Sequence, residues 1–187
     1  MDKAAEQRLL EIARSVVEAA VRGESIPQFD EDHPDLQGHQ GAFVTIKNHG
    51  QLRGCIGQFT ANEPLYRVVR RMALSSSMED PRFMYNRVLP DELEDIDIEI
   101  SVLSPLEKAD DPLSIELGTH GIYIRSGGRS GCFLPQVATE TGWTKEQFLS
   151  QCCAGKAGLP PDAWKDPATE ILTFTAHIIS EKEGHGG

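Results

Sequence analysis

The chain has 187 residues, of which 39% are hydrophobic, and its formal net charge is −11. A chain of this length buries about 70% of the surface that its unfolded form exposes. Its apolar and charged fractions are ordinary for a globular protein, which excludes a wholly disordered chain. The negative charge argues against a general binder of nucleic acid or of anionic membranes, because the non-specific part of such binding requires positive charge.

The sequence shows no pattern typical of export, of membrane insertion or of metal binding. Residues 1–6 lack a basic region followed by an apolar one, and no apolar run approaches the ~20 residues that span a membrane. We therefore expect a cytoplasmic protein without membrane contact. The histidines show no zinc-type spacing and the cysteines no paired C-x-x-C motifs, so we expect free thiols and neither a metal nor a cofactor. The cysteines are Cys55, Cys132, Cys152 and Cys153.

A helix, a loop and a hairpin are predicted first along the chain. Apolar residues recur at helical spacing over residues 3–22, and Gly23 is a natural stop. Residues 24–41 indicate a long acidic loop. Residues 42–47 and 51–58 are strand-like on either side of an Asn-His-Gly turn, which indicates a hairpin.

A second helix is predicted to start at residues 62–64, where Asn62 serves as the cap and a proline follows. Residues 95–103 alternate strictly between apolar and polar, which predicts a half-buried strand with Glu99 on its polar face. The buried face of the helix is expected to hold Leu65, Val68, Val69, Met72 and Ala73. Its arginines are expected to lie in solvent, and these are Arg67, Arg70 and Arg71.

The second half of the chain begins with a predicted hairpin over residues 121–134. Thr144 starts a capping box that opens a short helix through about Cys153. Residues 169–180 predict one long closing strand, and residues 181–187 a disordered tail. The buried face of the closing strand is expected to hold Leu172, Phe174, Ala176 and Ile178. Helices and hairpins mix without a βαβ rhythm, so the predicted fold class is α+β, with a largely antiparallel sheet flanked by helices.

Charge is distributed unevenly along the chain. Residues 51–90 hold six arginines and three acids, whereas residues 91–117 hold ten acids and one lysine. Two solvated faces that partly neutralise each other account for this pattern. The alternative is a cationic cleft for a small anionic molecule inside an acidic shell.

The most informative segment is Leu-Arg-Gly-Cys-Ile-Gly at residues 52–57. Side chains alternate along a strand, so Arg53, Cys55 and Gly57 are predicted to share one face. A guanidinium near a thiol favours the thiolate, and glycine lets a ligand approach the backbone, here at Gly54 and Gly57. The alternative is that Cys55 is a small buried hydrophobe and that the glycines accommodate a neighbouring helix.

This hexapeptide and several other blocks resemble the AMMECR-one domain family. The hexapeptide matches the hallmark of the family, and residues 41–45 match its lead-in strand. Further matching blocks, in the order of the family, are residues 80–83, 99–103, 118–122, 134–138 and 156–159, followed by Trp164. The resemblance runs over about residues 7–180, nearly the whole chain, and implies a single domain over residues 1–187.

The resemblance implies an α+β fold with a larger and a smaller lobe and a cleft near the hexapeptide strand. It implies no known reaction. Prokaryotic members of the family often occur beside, or fused to, a Memo-type protein and a radical SAM enzyme, and the bacterial form is component A of this AmmeMemoRadiSam system. The resemblance therefore implies these two proteins as partners, by association rather than by mechanism.

Other polar residues are candidates for the same site. Glu99 is predicted to orient Arg53 if its strand neighbours the hairpin, and otherwise to lie on an exposed polar edge. Asp80 and Arg82 either clamp a local turn or line the cleft. His120 is predicted to be the proton carrier, since an imidazole and a thiol in contact make a nucleophilic pair. The alternative is a solvent-exposed loop histidine.

The preferred hypothesis is an enzyme that binds a small anionic molecule in a cleft. Its proposed catalytic residues are Cys55, as nucleophile or redox thiol, His120 and Glu99. Its proposed ligand-binding residues are Arg53, Gly54, Gly57, Asp80 and Arg82. The second hypothesis is a non-enzymatic adaptor for a Memo-type or radical SAM partner. A third, RNA binding through the arginine-bearing helix, is opposed by the net charge of −11 and by the lack of aromatic residues interleaved with the basic ones.

Overall fold

The computed structural model describes residues 1–182. The described chain divides into two compact units, of which the first comprises Met1–Leu103 together with residues 177–182, and the second Ser104–Ala176. The helices are α1 Lys3–Arg22, α2 Leu65–Met78, α3 Pro135–Thr141 and α4 Lys145–Cys152. The strands are β1 Ala42–Asn48, β2 Gln51–Gln58, β3 Ile96–Leu103, β4 Glu107–Lys108, β5 Gly121–Ser126, β6 Arg129–Phe133, β7 Glu170–Phe174 and β8 Ala176–Ser180.

Helix α1 forms as predicted because both of its ends and its buried stripe are encoded locally. Asp2 caps its start by accepting a hydrogen bond from the backbone N–H of Ala5 at 2.8 Å. Gly23 ends it in the left-handed conformation, with φ of 71°, which glycine adopts without a steric penalty. Its fully buried side chains include Leu9, Ile12 and Val16, spaced by three and four residues.

The first unit packs α1 and α2 on one face of a sheet with strand order β2-β1-β3-β8. Its pairings of β1 with β2 and with β3 are antiparallel, which confirms the predicted α+β class. The core between helices and sheet contains the apolar side of each strand, including Val44, Ile98 and Ile100. The opposite face carries the polar residues of β1, β2 and β3, and this face positions the candidate site.

Helix α2 buries the predicted apolar stripe but differs from the prediction in two respects. The residue before its first turn is Pro64, and no side chain caps it, so the expected cap by Asn62 is wrong. Its arginines are not all in solvent, because Arg70 is half-buried and its Nε donates to the backbone oxygen of Pro27 at 2.8 Å. The 24–41 loop therefore packs against the helix and gives that guanidinium a partner.

The second unit has its own sheet, with strand order β4-β7-β5-β6, and its own core. The predicted hairpin forms as β5 and β6. The predicted capping box also forms, since Thr144 accepts from the N–H of Gln147 at 3.2 Å and Gln147 accepts from the N–H of Thr144 at 3.0 Å. Ile122, Ile124 and Phe148 are fully buried in this core.

The predicted closing strand over residues 169–180 is wrong, because the chain forms two strands there. β7 belongs to the second sheet and β8 to the first. Phe174 and Ile179 are both buried, and their odd spacing is incompatible with one face of a single strand. Ile178, expected inside, is 43% exposed.

The end of the described chain is anchored. Glu181 forms an ion pair with Arg14 and accepts a hydrogen bond from the N–H of Ile98 at 2.9 Å. The rest of the predicted tail, residues 183–187, lies outside the described residues. Within residues 1–182, no helix combines the length and the apolar character needed to cross a membrane.

Candidate functional site

The candidate site is built around Cys55, at the middle of edge strand β2. The β1–β2 register places Cys55 directly opposite Thr45, so the two side chains emerge on the same face of the sheet. The hydroxyl of Thr45, a residue only 7% exposed, donates to the Cys55 sulfur at 3.3 Å. Cys55 itself is half-buried. The thiol is therefore partly accessible and has a fixed hydroxyl donor beside it.

Asp80 and Arg82 together hold the main chain of Cys55. The N–H of Cys55 donates to Asp80 Oδ2 at 2.9 Å, and its carbonyl oxygen accepts from Arg82 Nη2 at 3.1 Å. Arg82 also pairs with Asp80, Nη2 to Oδ2 at 2.7 Å and Nε to Oδ1 at 3.0 Å. Asp80 and Arg82 thus form the predicted local turn clamp and also hold the backbone of the cysteine, while their place in the lining of a cleft stays a prediction.

The Asp80 carboxylate is buried, and its ionisation depends on these bonds. Burial is the largest single influence and by itself raises the pKa of Asp80. The hydrogen bonds from the Arg82 side chain and from the N–H groups of Cys55 and Arg82 outweigh it, so the pKa of Asp80 lies below its ordinary value. The carboxylate is therefore charged at neutral pH, and it accepts the hydrogen bond from the N–H of Cys55 in its unprotonated form.

Arg53 does not pair with Glu99, and that predicted contact is wrong. The register skips Arg53, since Ile46 lies opposite Gly54 while Lys47 lies opposite Leu52. An unpaired bulge residue escapes the regular alternation of a strand.

The Arg53 guanidinium instead forms an ion pair with Glu92 and donates from Nη2 to the carbonyl oxygens of Asn86 at 3.3 Å and Arg87 at 3.1 Å. The hydrogen bond from Arg53 is the largest influence on the pKa of Glu92. Together with the hydrogen bonds from Leu89 and Asn48 it outweighs burial, so the pKa of Glu92 is lowered. Arg53 thus tethers residues 86–92.

Glu99 occupies the same polar face as the cysteine. Thr45 lies opposite Cys55 on one side and opposite Glu99 on the other, so the three residues form a row across β2, β1 and β3. Glu99 forms an ion pair with Lys47 at 3.1 Å. It also lines a cavity of about 820 Å³ along β8 and the start of α1. Glu99 is thus neither an orienting partner of Arg53 nor a freely exposed edge residue.

The two glycines of the hexapeptide have packing roles. A Cβ at Gly54 would collide with the backbone carbonyl of Ser76 on α2, and one at Gly57 would collide with the ring of Phe43. Gly54 therefore lets α2 approach the sheet, which is the alternative that the sequence left open. Gly57 makes room for an aromatic side chain of the neighbouring strand, and its role in ligand binding stays a prediction.

His120 belongs to the second unit, whereas Cys55 belongs to the first. Its Nδ1 accepts a hydrogen bond from the N–H of Glu116 at 3.0 Å. The neutral imidazole consequently carries its proton on Nε2, where it is a donor. His120 also lines a cavity of about 140 Å³ with Ser104 and Glu107. Acting as a general base would require His120 to break its bond to Glu116.

A small group of potential metal ligands lies elsewhere in the first unit. Asp2, His33 and Asp35 bring ligand atoms within 4.8 Å of one another. The imidazole is already used on both sides, because His33 Nε2 pairs with Asp2 at 3.2 Å and Nδ1 accepts from the N–H of Asp35 at 3.2 Å. We assign no metal to this group.

Two residues of the site, Thr45 and Glu92, are not among those predicted from the sequence. Thr45 was detectable as a hydroxyl within an otherwise apolar stretch of β1. A hairpin with a two-residue turn and no bulge would have placed it opposite Gly54, so its contact with Cys55 depends on the skipped residue. Glu92 stands within an acidic run, residues 91–95, and nothing in that run distinguishes the partner of Arg53.

Comparisons with known proteins agree with this fold. A family model described as AMMECR1 matches residues 10–179. A protein of Methanothermobacter thermautotrophicus is 43% identical over 180 residues, 92% of this chain and 92% of its own length. Protein NEQ441 of Nanoarchaeum equitans is 42% identical over 92% of this chain and 98% of its own. The crystal structure of the uncharacterized protein PH0010 from Pyrococcus horikoshii, 36% identical, covers 97% of this chain and 94% of its own with a TM-score of 0.87. The chain belongs to the AMMECR1 family.

Proposed function

We propose that the chain binds a small anionic molecule beside Cys55 and that the Cys55 thiol is the nucleophile of a reaction on that molecule. One observation carries this proposal. The main chain of a half-buried cysteine is held at both its N–H and its carbonyl by an ion pair, while a buried hydroxyl donates to its sulfur. A packing cysteine needs none of these contacts, whereas a reacting thiol needs a fixed position.

Arg82 is the best candidate to hold the anion. Its side chain is 55% exposed, although Asp80 and Cys55 already engage part of the guanidinium. An exposed guanidinium binds carboxylate and phosphate well. Arg53 is less suitable, because Glu92 and two carbonyls already engage it. Thr45 is the supporting residue that acts on the thiol directly, whereas the role expected of Glu99 was to orient Arg53.

Alkylation of the folded chain by iodoacetamide, followed peptide by peptide, tests this proposal. We expect Cys55 to react before Cys132, which is also half-buried, because the backbone of Cys55 is held in place and a hydroxyl donates to its sulfur. Buried Cys152 and Cys153 should react only after unfolding. The small-molecule fraction of a cell extract should slow the reaction of Cys55 and leave Cys132 unchanged. If Cys55 stays unmodified until the chain is denatured, the nucleophile role is wrong.

The second candidate function is a non-enzymatic adaptor, and a different observation favours it. Met84, Tyr85 and Leu89 are 50%, 102% and 57% exposed. The segment that carries them is tethered by Arg53, so it presents apolar side chains on a fixed backbone. Such exposed apolar groups are typical of protein interaction sites. The family resemblance supports a Memo-type protein as the partner, and a radical SAM enzyme as a further one.

Co-elution with a Memo-type protein in size-exclusion chromatography separates the two functions. If the chain is an adaptor, Tyr85→Ser should abolish co-elution while Cys55→Ser leaves it intact. Leu113→Ser is the matched control, since Leu113 is also an exposed apolar side chain, at 38%, in the other unit. Loss of co-elution in the control as well would contradict a role for the segment around Tyr85.

A further inference from the structure

Helix α2 concentrates positive charge on a protein that is otherwise strongly acidic. Arg67, Arg70 and Arg71 lie within five residues of one another in a chain of net charge −11. They line a cavity of about 340 Å³ between α2 and the loop that precedes β1. The other lining residues are Gln28, Phe29, Glu63 and Tyr66. None of the lining residues belongs to the arrangement around Cys55.

Two of these guanidiniums are held in place by neutral oxygen atoms. Arg67 Nε donates to the hydroxyl of Tyr66 at 3.0 Å, and Arg70 Nε donates to the backbone oxygen of Pro27 at 2.8 Å. Tyr66 is only 3% exposed, so the hydroxyl that holds Arg67 is itself fixed. Each guanidinium is therefore positioned through Nε, and among residues 1–182 its two terminal nitrogens donate no hydrogen bond.

The charge of these two arginines is not neutralised locally. Within the described part of the chain, neither Arg67 nor Arg70 forms an ion pair. Glu63 is engaged by Arg71, and Asp30 and Glu63 act on Arg67 only through the longer-range electrostatic interaction. Most arginines of the first unit differ in this respect, since ion pairs engage Arg8, Arg14, Arg22, Arg53, Arg71 and Arg82.

We propose that this cavity binds the phosphate group of a small phosphorylated molecule. Guanidinium groups match phosphate oxygens through paired N–H donors, and Arg67 and Arg70 supply two such groups within one turn of helix. The volume lies at the lower end of the range for small-molecule sites, about 300–1,000 Å³. A long RNA fits poorly, because the net negative charge of the chain repels a polyanion.

Calorimetric titration of the full chain with pyrophosphate, at constant ionic strength, tests this site. We expect saturable binding that Arg67→Gln and Arg70→Gln each weaken about tenfold or more, because each removes a paired donor and a charge. Arg22→Gln is the matched control, since it makes the same charge change at the exposed end of α1. It should change affinity by less than about twofold, because Arg22 does not line the cavity and pairs with Glu18.

The outcomes are decisive in either direction. Absence of pyrophosphate binding, equal weakening by Arg22→Gln, or tighter binding of citrate than of pyrophosphate would each overturn the phosphate site. Weakening by Arg82→Gln instead of Arg67→Gln would move the anion to the cysteine and also overturn it. Retention of single-stranded RNA without pyrophosphate binding would favour a nucleic-acid surface.

Arg67 is exposed, so Arg67→Gln decides the question if Arg70→Gln fails to fold. Cys55→Ser should not alter pyrophosphate binding, which separates this site from the proposed function.

Discussion

The Asp80 carboxylate joins the backbone of Cys55 to the backbone and the side chain of Arg82. It accepts from the N–H of Cys55, from the N–H of Arg82 and from two nitrogens of the Arg82 side chain. These donors use both oxygens of a side chain that is 1% exposed. A buried carboxylate is tolerated only when it is paired and fully hydrogen-bonded. The position of the cysteine backbone therefore depends on the charge of this residue.

Replacement of Asp80 by asparagine tests this dependence at nearly constant shape. Asp80→Asn substitutes a donor group for one acceptor oxygen and removes the charge that Arg82 faces. We expect the free energy of unfolding to fall by about 1.5–3 kcal/mol, the range for hydrogen bonds to charged groups. Urea unfolding at pH 7 measures it. Glu79→Gln, at the exposed neighbouring position, is the control and should change stability by less than ~0.5 kcal/mol. Equal losses in both variants would contradict the assigned role of Asp80.

At the scale of secondary structure, the fold is predictable where the signal is local. Helix α1 and both hairpins follow from apolar spacing, capping residues and turn glycines within one short segment. The break between β7 and β8 is not predictable in this way, because no glycine or proline marks Thr175 and only pairing with two different sheets separates the strands. No residue pattern predicts the bulge at Arg53 either, and the bulge changes the partners of both Arg53 and Thr45.

The attachment of α2 to the first sheet depends on one hydroxyl as well as on apolar packing. Ser76 is 1% exposed, and its Oγ accepts from the N–H of Ile56 at 2.8 Å and donates to the carbonyl oxygen of Val44 at 2.7 Å. The helix comes this close because Gly54 has no side chain. One residue of α2 thus bonds to both β1 and β2, directly behind the cysteine.

Removal of this hydroxyl should weaken the hairpin that carries the site. Ser76→Ala leaves the N–H of Ile56 and the carbonyl of Val44 without that partner, at an expected cost of about 1–3 kcal/mol for buried polar groups. Ser75→Ala is the matched control on the same helix, because the Ser75 hydroxyl donates to the exposed Glu79 carboxylate, at 2.6 Å. Chemical denaturation of both variants gives the comparison. A loss in Ser75→Ala as large as in Ser76→Ala would show that helix propensity, not the hydroxyl bridge, sets the cost.

At the scale of the whole molecule, some members of the candidate site are predictable from the sequence, but Thr45, Glu92 and the contacts between the residues are not. Cys55, Asp80 and Arg82 are identifiable from the strand pattern and the family blocks, and the structure brings these three together. Glu99 and Arg53 form ion pairs with other residues, because the strand register and the bulge determine which charged side chains are neighbours. His120 lies in the other unit. The local sequence does not show which of many similar acidic residues pairs with a given basic residue far away in the chain.

Two carboxylates of the first unit make its stability depend on pH. The pKa values of Asp80 and Glu92 are lowered in the folded chain, whereas unfolded carboxyl groups titrate near pH ~4. A lowered folded pKa stabilises the folded state above the unfolded pKa, and this stabilisation is lost as the pH falls through the folded pKa. The contribution is therefore complete at neutral pH and declines below about pH 4.

The double variant Asp80→Asn with Glu92→Gln isolates this contribution. It should be less stable than the unaltered chain at pH 7, and the difference should narrow as the pH falls below ~4, where these two carboxyl groups of the unaltered chain take up protons in the unfolded state before they do so in the folded state. Urea unfolding at several values between pH 7 and pH 3 measures the difference. The lowered pKa values of Asp2 and Glu170 are common to both proteins and cancel. A difference that stays constant over this range would mean that shape, and not charge, accounts for the stabilisation by Asp80 and Glu92.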